Sequence, residues 1–413
     1  MTRRRLLVLT PRFPYPPVGG DRLRIYQLCK HLSEDHDLSL LSMCESQEEM
    51  SYQLPSDGVY KHVERVLHSK ARRLLGCLRV LPSRTPLQIG YYRNPEFTQR
   101  LKALLPSYDS VLAHLIRTGD YVRNYPGTKV LEMTDAISLA YTRTRTAGLS
   151  NPLRLLAYRI EEGRLLNYER SIVNVFDLTL VVSPVDRDFL AAGTASCEKM
   201  LVCANGVDTQ ALKLNYSPDG RTIVFIGNNT AYHNIDALLF FADQVFPRIR
   251  SIHPAAIFKI VGSLHPRLQA KLARRTGIVT TGRVANIADA VRNASVGVCP
   301  IRFGAGIQNK LLEYMALGIP AVTSAIGLEG IEATPGIHLL VASNIEEWSD
   351  QVSNLLLNQN LGAAMVPAAR AFVEQHHSWS STLQPLKEAL RGSETGPPDS
   401  RHNPFQADDS SRA

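Results

Sequence analysis

The sequence predicts an α/β fold made of two Rossmann-like domains, each with a doubly wound parallel sheet, that face each other across a cleft. Three observations lead to this prediction. Short apolar runs alternate with amphipathic segments along the chain, as in parallel sheets whose strands are joined by helices. One strand and its helix together span about 25–35 residues, which is typical of doubly wound sheets. The length of 413 residues is enough for two or three domains.

The first half of the chain begins with a buried strand at residues 6–10, and a loop rich in proline and glycine follows at 11–20. Asp21 is expected to cap the next helix, which runs to about residue 33, because an aspartate side chain can accept hydrogen bonds from the first free N–H groups. Further elements are predicted as strands at 38–43, 111–114, 130–133 and 178–183 and as a long helix at 153–176.

The second half starts after residues 201–208 and repeats the same alternation. Its predicted strands lie at 223–227, 256–262, 278–281, 296–300, 320–323 and 338–341. Its predicted helices lie at 234–250, 266–275, 286–293, 308–317 and 345–357, and a terminal helix follows at 374–390.

These elements predict the limits of the domains. Residues 1–200 form the first Rossmann-like domain, and residues 201–372 form the second. Residues 373–391 form a C-terminal helix that can cross back to the first domain. Residues 392–413 are rich in Ser, Pro, Asp and Arg and have few large apolar side chains, so a disordered tail is expected.

The composition is that of a globular protein, with 44% hydrophobic and 20% charged residues. The six cysteines contain no C-x-x-C pair, which argues against a disulfide framework or a structural zinc site and favours reduced thiols in the cytoplasm. The apolar run at residues 6–9 is too short for a signal peptide, and no run approaches 18 apolar residues, so no transmembrane helix is expected.

The formal net charge of +8 is concentrated in one stretch. Residues 61–102 contain ten Lys and Arg residues and only two acidic residues, Glu64 and Glu96, so this stretch carries the whole net charge. Within it, four leucines fall on one helical face, while Arg72, Arg73 and Arg79 lie mostly off that face. This pattern predicts an interfacial helix on an anionic membrane, and a solvated basic face is the alternative. Nucleic acid is not favoured as a partner, because no aromatic-interleaved basic patch accompanies the stretch.

The turn after the first strand lacks the G-x-G-x-x-G fingerprint, which argues against a nicotinamide or flavin dehydrogenase. Gly19 and Gly20 stand just before the first helix. They allow backbone N–H groups to approach an anion closely, although a plain turn into the helix explains them equally well.

The strongest motif lies at residues 299–322, which alternate as strand, glycine-containing loop, helix, glycine stop and strand. The helix N-terminus and its free N–H groups, with Arg302 and Lys310 nearby, predict a diphosphate site. Glu313 follows Lys310 by one turn and can accept two hydrogen bonds from a ribose diol, whereas a surface ion pair between the two is the alternative. The predicted diphosphate contacts also include Gly306, Asn309 and Leu311.

Two polar residues, His114 and Asp135, end predicted strands of the first domain. In a parallel sheet Asp135 then faces the cleft at the same edge as His114, where contact with a bound ligand is the functional prediction. A satisfied core histidine and a helix N-cap are the alternatives. The other histidines, including His233, His376 and His377, show no spacing that suggests a metal cluster, so no metal site is predicted.

The run GAGIQNKLLEYMALGIPAV at residues 304–322 closely resembles the donor-site segment of the family 4 glycosyltransferases, which have the GT-B fold. Other segments agree with this family in order and spacing: GGDRLR, VVSPVDRDFL, NGVD, FKIVGS and VTTGRVANIADAV. The similarity covers roughly residues 5–390, and it resembles most the sugar transferases of bacterial exopolysaccharide gene clusters.

The resemblance implies transfer of a sugar, with retention and without a metal ion or other cofactor, from a nucleotide-diphospho-sugar. The acceptor would be a polysaccharide or a polyprenyl-phosphate-linked glycan, bound over the first domain. Glu313 corresponds to the second of two family glutamates and would hold the ribose. His114 would lie beside the donor sugar, and the turn formed by Gly282, Arg283 and Val284 would contact the base.

The chain departs from the family pattern at two places. Ala305 occupies the position of the first family glutamate, and the loop at 227–234 has neither the Arg nor the Lys of many relatives. These departures keep two alternatives open. One is a catalytically silent nucleotide-binding scaffold, and the other is a sugar-nucleotide epimerase of the same architecture.

Overall fold

The computed structural model describes residues 3–17, 19–147, 152–192 and 197–392. It contains two parallel sheets of seven and six strands, with helices packed on both faces of each. The prediction of two doubly wound α/β domains is confirmed.

The first sheet has the strand order β3-β2-β1-β4-β5-β6-β7. Its strands are Arg4–Thr10 (β1), His36–Cys44 (β2), Tyr60–Leu67 (β3), Ser110–His114 (β4), Thr128–Thr134 (β5), Leu178–Val181 (β6) and Met200–Val202 (β7). The helices around it are Gly20–Leu32 (α1), Gln47–Ser51 (α2), Lys70–Val80 (α3), Leu87–Tyr91 (α4), Pro95–Leu104 (α5), Ile116–Gly119 (α6), Ile137–Thr146 (α7), Pro152–Val173 (α8) and Pro184–Ala191 (α9).

The second sheet has the strand order β10-β9-β8-β11-β12-β13. Its strands are Thr222–Ile226 (β8), Ile257–Val261 (β9), Ile278–Gly282 (β10), Val296–Cys299 (β11), Ala321–Thr323 (β12) and Leu340–Val341 (β13). The helices that follow β7 are Tyr232–Phe240 (α10), Phe246–Ile252 (α11), Pro266–Ala273 (α12), Ile287–Ala290 (α13), Asn309–Leu317 (α14), Ala325–Leu328 (α15), Ile345–Leu357 (α16), Gln359–His376 (α17) and Trp379–Gly392 (α18).

Each sheet has one point at which the strand order reverses, between β1 and β4 in the first and between β8 and β11 in the second. Loops that leave the carboxyl ends of these strands part to opposite faces of the sheet and open a crevice, where ligands of doubly wound folds bind. The loops after β1, β4, β8 and β11 are therefore the positions at which a site is expected.

The central strands are apolar on both faces because helices cover both sides of a parallel sheet. In β1, Leu7 and Leu9 belong to one buried cluster, while Leu6 and Val8 belong to another on the opposite face. The second domain has one large cluster, in which Phe225 of β8 is fully buried.

The terminal helix α18 packs against α1 of the first domain. Leu383 and Leu386 are buried in the same cluster as Leu28 and Leu32. Lys387 forms an ion pair with Glu34 at the edge of this contact. The end of the described chain thus returns to the sheet on which the chain began.

Several local predictions were wrong. Asp21 does not cap α1, because the cap position is Gly19 and the helix has already begun at Gly20. The polar edge strand β3 was not predicted, since its burial pattern is mostly exposed or partly buried and lacks an apolar run. The single helix expected at 234–250 is interrupted by a π turn at Phe241–Val245.

The end of the chain also differs from the prediction. Helix α17 was not predicted, although it has 18 residues, and Pro367 lies inside it. It ends at His376, and α18 begins at Trp379, where the sequence predicted one helix over 374–390. The tail expected to be disordered, apart from Gly392, lies outside the described residues.

The cysteines are all free, and Cys29, Cys44, Cys203 and Cys299 are buried. Among the described helices, none combines the length and the apolar composition that crossing a bilayer requires.

Candidate functional site

Residues predicted from separate motifs meet where the two sheets face each other. Gly306, in the loop after β11, packs against Asp135, which follows β5: a Cβ at Gly306 would lie 3.2 Å from the Asp135 Cβ. Gly20, at the start of α1, has Asn309 Nδ2 as its nearest neighbour, 3.9 Å from an added Cβ. The glycines thus allow the two walls of the cleft to approach closely.

Helix α14 presents its N-terminus to this cleft. It begins at Asn309 and ends at Leu317, and the cap residue Gly318 has a φ of 76°, in the left-handed conformation that favours glycine. The first backbone N–H groups of an α-helix have no partner within the helix, so the N–H groups at Asn309 and Lys310 can bind an anion. The N–H group of Leu311, also predicted to contact the diphosphate, already donates to the Gln308 carbonyl oxygen at 2.9 Å.

Lys310 is buried beneath this helix N-terminus and does not extend into solvent. Its Nζ donates to Asn234 Oδ1 and to Gln308 Oε1, each at 3.0 Å, and it lies 5.3 Å from the centre of the Phe225 ring. Burial lowers the pKa of Lys310. The side chain supplies positive charge close to the start of α14 while its hydrogen bonds hold the adjacent loop in place.

Glu313 is half-buried one turn further along α14 and accepts no hydrogen bond from a described residue. Burial raises its pKa to about 7, and the charge of Lys310 offsets only part of that rise. The carboxyl group lines a cavity of about 250 Å³ that lies between α1 and the second domain. Leu23, Gln27, Asn309 and Trp379 share this lining. An unpartnered carboxyl group in a cavity of this kind is suited to bind hydroxyl groups.

Arg302 is held by an acidic partner in the structure, whereas the sequence predicted a cation available for a diphosphate. Its Nε lies 2.8 Å from Asp236 Oδ2, and its guanidinium stacks 5.0 Å from the centre of the Phe240 ring. The charge of Arg302 is therefore largely balanced before any ligand binds, while its Nη1 forms no hydrogen bond with a described residue.

The loop after β8, where the sequence has no cation, approaches β9 closely. A Cβ at Gly262 would lie 1.9 Å from the carbonyl oxygen of Gly227, so position 262 requires glycine. Asn229 is fully buried in this loop, and its Oδ1 has no hydrogen-bond partner among the described residues. An unpaired buried amide oxygen next to a cleft marks a position at which a ligand donor can bind.

The turn predicted to contact a base follows β10. Gly282 has φ of 67° and accepts a hydrogen bond from the Gly262 N–H at 3.0 Å. Arg283 is exposed, while Val284 packs against the core. Ile287, just beyond the turn, lines the same cavity as Glu313. The predicted ribose contact Glu313 therefore lines this cavity, whereas Gly282, Arg283 and Val284 are not part of its lining.

His114 and Asp135 lie on the opposite wall, at the ends of neighbouring strands. Nδ1 of His114 is 2.5 Å from Oε2 of Glu132. Burial raises the pKa of Asp135 to about 7, with a further contribution from the charge of Asp186, while Arg117 acts in the other direction. Asp135 is not the cap of α7, because that position is Ala136.

Sequence reasoning missed four charged or polar residues of the site: Arg24, Glu132, Arg143 and Asn205. Arg24 and Glu132 form a buried ion pair at 2.6 Å. Arg143 reaches across the cleft to the carbonyl oxygen of Gly304 at 2.9 Å and to Glu329 at 2.7 Å. A glutamate within the apolar run of β5 was the available signal for Glu132, since ionised side chains are rarely buried without a partner.

The three arginines predicted for a membrane or acceptor surface have different surroundings. Arg72 pairs with Glu96 at 2.9 Å, and Arg73 contacts both Glu45 and the Tyr91 hydroxyl. Arg79 is exposed and forms no ion pair with a described residue. Four leucines beside them are between 47% and 64% exposed: Leu74, Leu75, Leu78 and Leu81.

Among the described residues, no group of three His, Cys, Asp or Glu side chains is arranged to hold a metal ion. A second, open groove of about 380 Å³ lies at Phe246, Arg250 and Arg275, and it includes none of the predicted site residues.

Residues 220–358 match the family model described as "Glycosyl transferases group 1". No curated protein matches the chain. The match covers most of the second domain, including α14 and the turn after β10.

Solved structures share the fold of the whole chain. A sucrose-phosphate synthase from Thermosynechococcus elongatus has a TM-score of 0.72 at 14% identity, covering 95% of this chain and 99% of its own. HepE of Anabaena, solved with UDP and glucose, has a TM-score of 0.66 at 14% identity, covering 94% and 100%. A glycosyltransferase from Rickettsia africae has a TM-score of 0.65 at 12% identity, covering 96% and 100%. The chain therefore has the GT-B fold of glycosyltransferase structures.

Proposed function

We propose that this protein is a retaining, metal-independent glycosyltransferase that uses a nucleotide-diphospho-sugar as donor. The observation that carries this proposal is the cavity in which Glu313, unpaired among the described residues, lies one turn from the N-terminus of α14. The group 1 family match over residues 220–358 supports the proposal, as does the fold shared with HepE, which was solved with UDP.

In this proposal the second domain binds the donor. The ribose diol donates to Glu313, and the base lies against the turn at Gly282, Arg283 and Val284. The diphosphate lies at the N-terminus of α14, where backbone N–H groups and Lys310 stabilise negative charge. These groups are worth most when the bond to the sugar breaks, because charge then develops on the leaving nucleoside diphosphate.

The first domain supplies the opposite wall in this proposal. His114 and Asp135 border the donor sugar and the incoming hydroxyl group of the acceptor. Asp135, with a pKa near 7, can exist in either protonation state at neutral pH. The acceptor hydroxyl oxygen attacks the sugar as its bond to the leaving diphosphate breaks, and the leaving phosphate accepts the hydroxyl proton, so no side chain is required as the base.

The acceptor is proposed to be a polysaccharide or a polyprenyl-phosphate-linked glycan of a bacterial envelope or exopolysaccharide. Helix α3 would rest on the anionic inner face of the cytoplasmic membrane, with its exposed leucines in the interface. Exposed Arg79 and the other cations of residues 61–102 add the electrostatic attraction that an anionic surface provides.

Calorimetric titration with UDP, GDP and ADP and their sugars tests the donor site. We expect one nucleotide family to bind, and Glu313→Gln to weaken that binding by at least about tenfold, the value of one hydrogen bond to a charged group. Glu346→Gln changes an exposed glutamate of α16 in the same domain and should leave binding unchanged. Full affinity and full sugar turnover in Glu313→Gln would contradict the proposal.

A catalytically silent nucleotide-binding scaffold is the second candidate. It is favoured by Ala305 in place of the family glutamate and by the pairing of Arg302 with Asp236. Nucleotide binding without transfer to any lipid-linked or polysaccharide acceptor would support this candidate against the enzyme.

A further inference from the structure

His114 is oriented by a carboxylate from the neighbouring strand. Strands β4 and β5 are paired so that His114 lies opposite Glu132, and the 2.5 Å contact joins His114 Nδ1 to the carboxylate. Both side chains are buried. Nε2 of His114 forms no hydrogen bond with a described residue. The strand register therefore leaves one ring nitrogen bound and the other available at the end of β4.

Glu132 is itself held from two further directions. Arg24 Nε donates to Oε1 at 2.6 Å, and the Thr134 hydroxyl lies 3.0 Å from each carboxylate oxygen. Thr134 has φ of 70°, a conformation that is costly for a β-branched residue and persists only where the surroundings impose it. Burial alone would raise the pKa of Glu132, but the charges of Arg24 and His114 outweigh burial and lower it to about 2.

The same hydrogen-bond path continues into the second domain. Arg24 Nη1 donates to Asn205 Oδ1 at 3.0 Å, in the segment that connects the two sheets. Asn205 Nδ2 then donates at 2.8 Å to Oδ1 of Asn309, the first residue of α14. A continuous path of side chains thus joins the imidazole of one wall to the helix N-terminus of the other.

We propose that Glu132 is a positioning residue that holds the His114 imidazole with Nδ1–H on the carboxylate and Nε2 facing the cleft, and that Arg24 and Asn205 tie this orientation to α14. A carboxylate that accepts from one ring nitrogen determines which nitrogen carries the proton and fixes the plane of the ring. The significance for sugar transfer rests on the proposed function, whereas the orientation of the ring does not.

The orientation of the His114 ring is tested by a measurement that does not depend on sugar-transfer activity. Long-range ¹H–¹⁵N spectra of the full chain labelled at histidine, with His114→Asn to assign the signal, report which ring nitrogen of His114 is protonated. We expect a protonated Nδ1 in the wild-type protein and loss of that state in Glu132→Gln. Glu169→Gln replaces another buried glutamate of the first domain, which bonds Ser138 and not His114, and should keep the wild-type signal.

Glu132→Gln leaves Arg24 buried without its partner, which destabilises the fold. A second variant therefore keeps the test decisive if Glu132→Gln folds poorly. The pair Arg24→Met and Glu132→Gln removes both charges together and provides a second folded background. A wild-type His114 protonated only at Nε2, or an unchanged Nδ1–H signal in both variants, would overturn the proposal.

Kinetics test the consequence for transfer. We expect Glu132→Gln to lower kcat by at least about tenfold while the donor KM stays within about threefold, since the nucleotide contacts are on the other domain. Adding Glu132→Gln to His114→Asn should cause little further loss. Additive losses would overturn the positioning role. Absence of transfer in the wild-type protein would refute the proposed enzyme, and the spectra would still decide the orientation of His114.

Discussion

Individual carboxyl groups at the cleft have pKa values displaced in opposite directions. Burial raises the pKa of Glu313 and of Asp135 to about 7. For Glu132 the charges of Arg24 and His114 overcome burial, so its pKa falls to about 2. Glu132 therefore stays charged near neutral pH, whereas Asp135 and Glu313 can gain or lose a proton there.

Donor binding should depend on pH through Glu313. Above its pKa the group is a carboxylate that accepts from both ribose hydroxyls, so the affinity for a nucleotide-sugar is expected to rise between pH 6 and pH 8. The rise is limited to about tenfold per pH unit below the pKa. This rise in affinity is measured by titration with UDP-glucose or with the nucleotide-sugar that the screen selects. The diphosphate of such a donor is esterified at both ends, so no terminal phosphate group titrates in the same pH range.

The matched variants for this pH dependence are Glu313→Gln and Glu346→Gln. The first should flatten the pH profile, since an amide does not titrate, and the second should keep the wild-type slope. A wild-type affinity that falls as the pH rises would contradict the role assigned to Glu313.

At the scale of elements, helix α3 combines an anchored side with an exposed apolar side. A Cβ at Gly76 would lie 2.1 Å from the carbonyl oxygen of Gly90, so glycine allows α3 to pack directly on α4. Arg73 points inward to Glu45 and Tyr91. The outward side carries Arg79, Leu74, Leu75 and Leu78, and exposed Leu81 follows directly after the helix, an arrangement suited to a membrane surface.

Removing the apolar side of α3 should weaken binding to vesicles that contain phosphatidylglycerol. We expect Leu74→Ser with Leu78→Ser to reduce co-sedimentation at low salt by at least about tenfold, because each buried leucine contributes about 1.5–3 kcal/mol. Arg79→Gln should reduce it less, by about 1 kcal/mol for one charge near the surface, and Arg73→Gln least of all.

The control for α3 is Leu357→Ser, at a leucine of α16 that is 69% exposed in the second domain. It should leave vesicle binding unchanged. Equal vesicle binding by all of these variants would show that the exposed side of α3 is a solvated basic face and not a membrane-binding surface.

Helix α18 is the element that returns the end of the described chain to the first domain. Leu383 is completely buried in its contact with α1. Leu383→Ala is expected to lower the free energy of unfolding of the first domain by about 2–5 kcal/mol. Chemical denaturation measures this loss, and Leu357→Ala, at an exposed site, should change stability by less than about 0.5 kcal/mol. A negligible loss in Leu383→Ala would show that the α18 contact does not contribute to stability.

At the scale of the whole molecule, polar contacts join the two domains across the cleft. Arg143 of α7 binds the Gly304 carbonyl oxygen and Glu329 of the second domain. Gly306 packs against Asp135 close to this bridge. These contacts link the loop after β11 to the wall that carries His114.

Breaking the Arg143 bridge should open the cleft. Arg143→Gln loses a charged hydrogen-bonded contact worth about 1.5–3 kcal/mol, so the domains should populate more open arrangements. Fluorescence transfer between labels on the two domains measures the distance. Arg145→Gln is the matched control, because Arg145 lies on the same helix but pairs with Glu162 of its own domain. An equal distance in both variants would contradict the bridging role.

The sequence predicted much of the architecture because buried parallel strands are short apolar runs that are visible without tertiary information. The strand at β1 and the helix α16 were predicted close to their observed bounds. Edge strand β3 escaped prediction, since an edge strand that is partly exposed carries polar residues and resembles a loop. The break between α17 and α18 also escaped prediction, although Ser378 provides a local signal: its Oγ accepts from the Ser381 N–H at 3.2 Å, as an N-cap serine does.

The sequence by itself determined the two-domain α/β fold and the segment around Gly306, Lys310 and Glu313, because glycines, cations and acids at a helix start are local signals. Only the tertiary structure decided what these residues contact. It paired Arg302 with Asp236 and brought Gly306 against Asp135. The physical reason is distance along the chain: ion pairs and close approaches between residues separated by more than 60 positions depend on how sheets and helices pack, which no local pattern specifies.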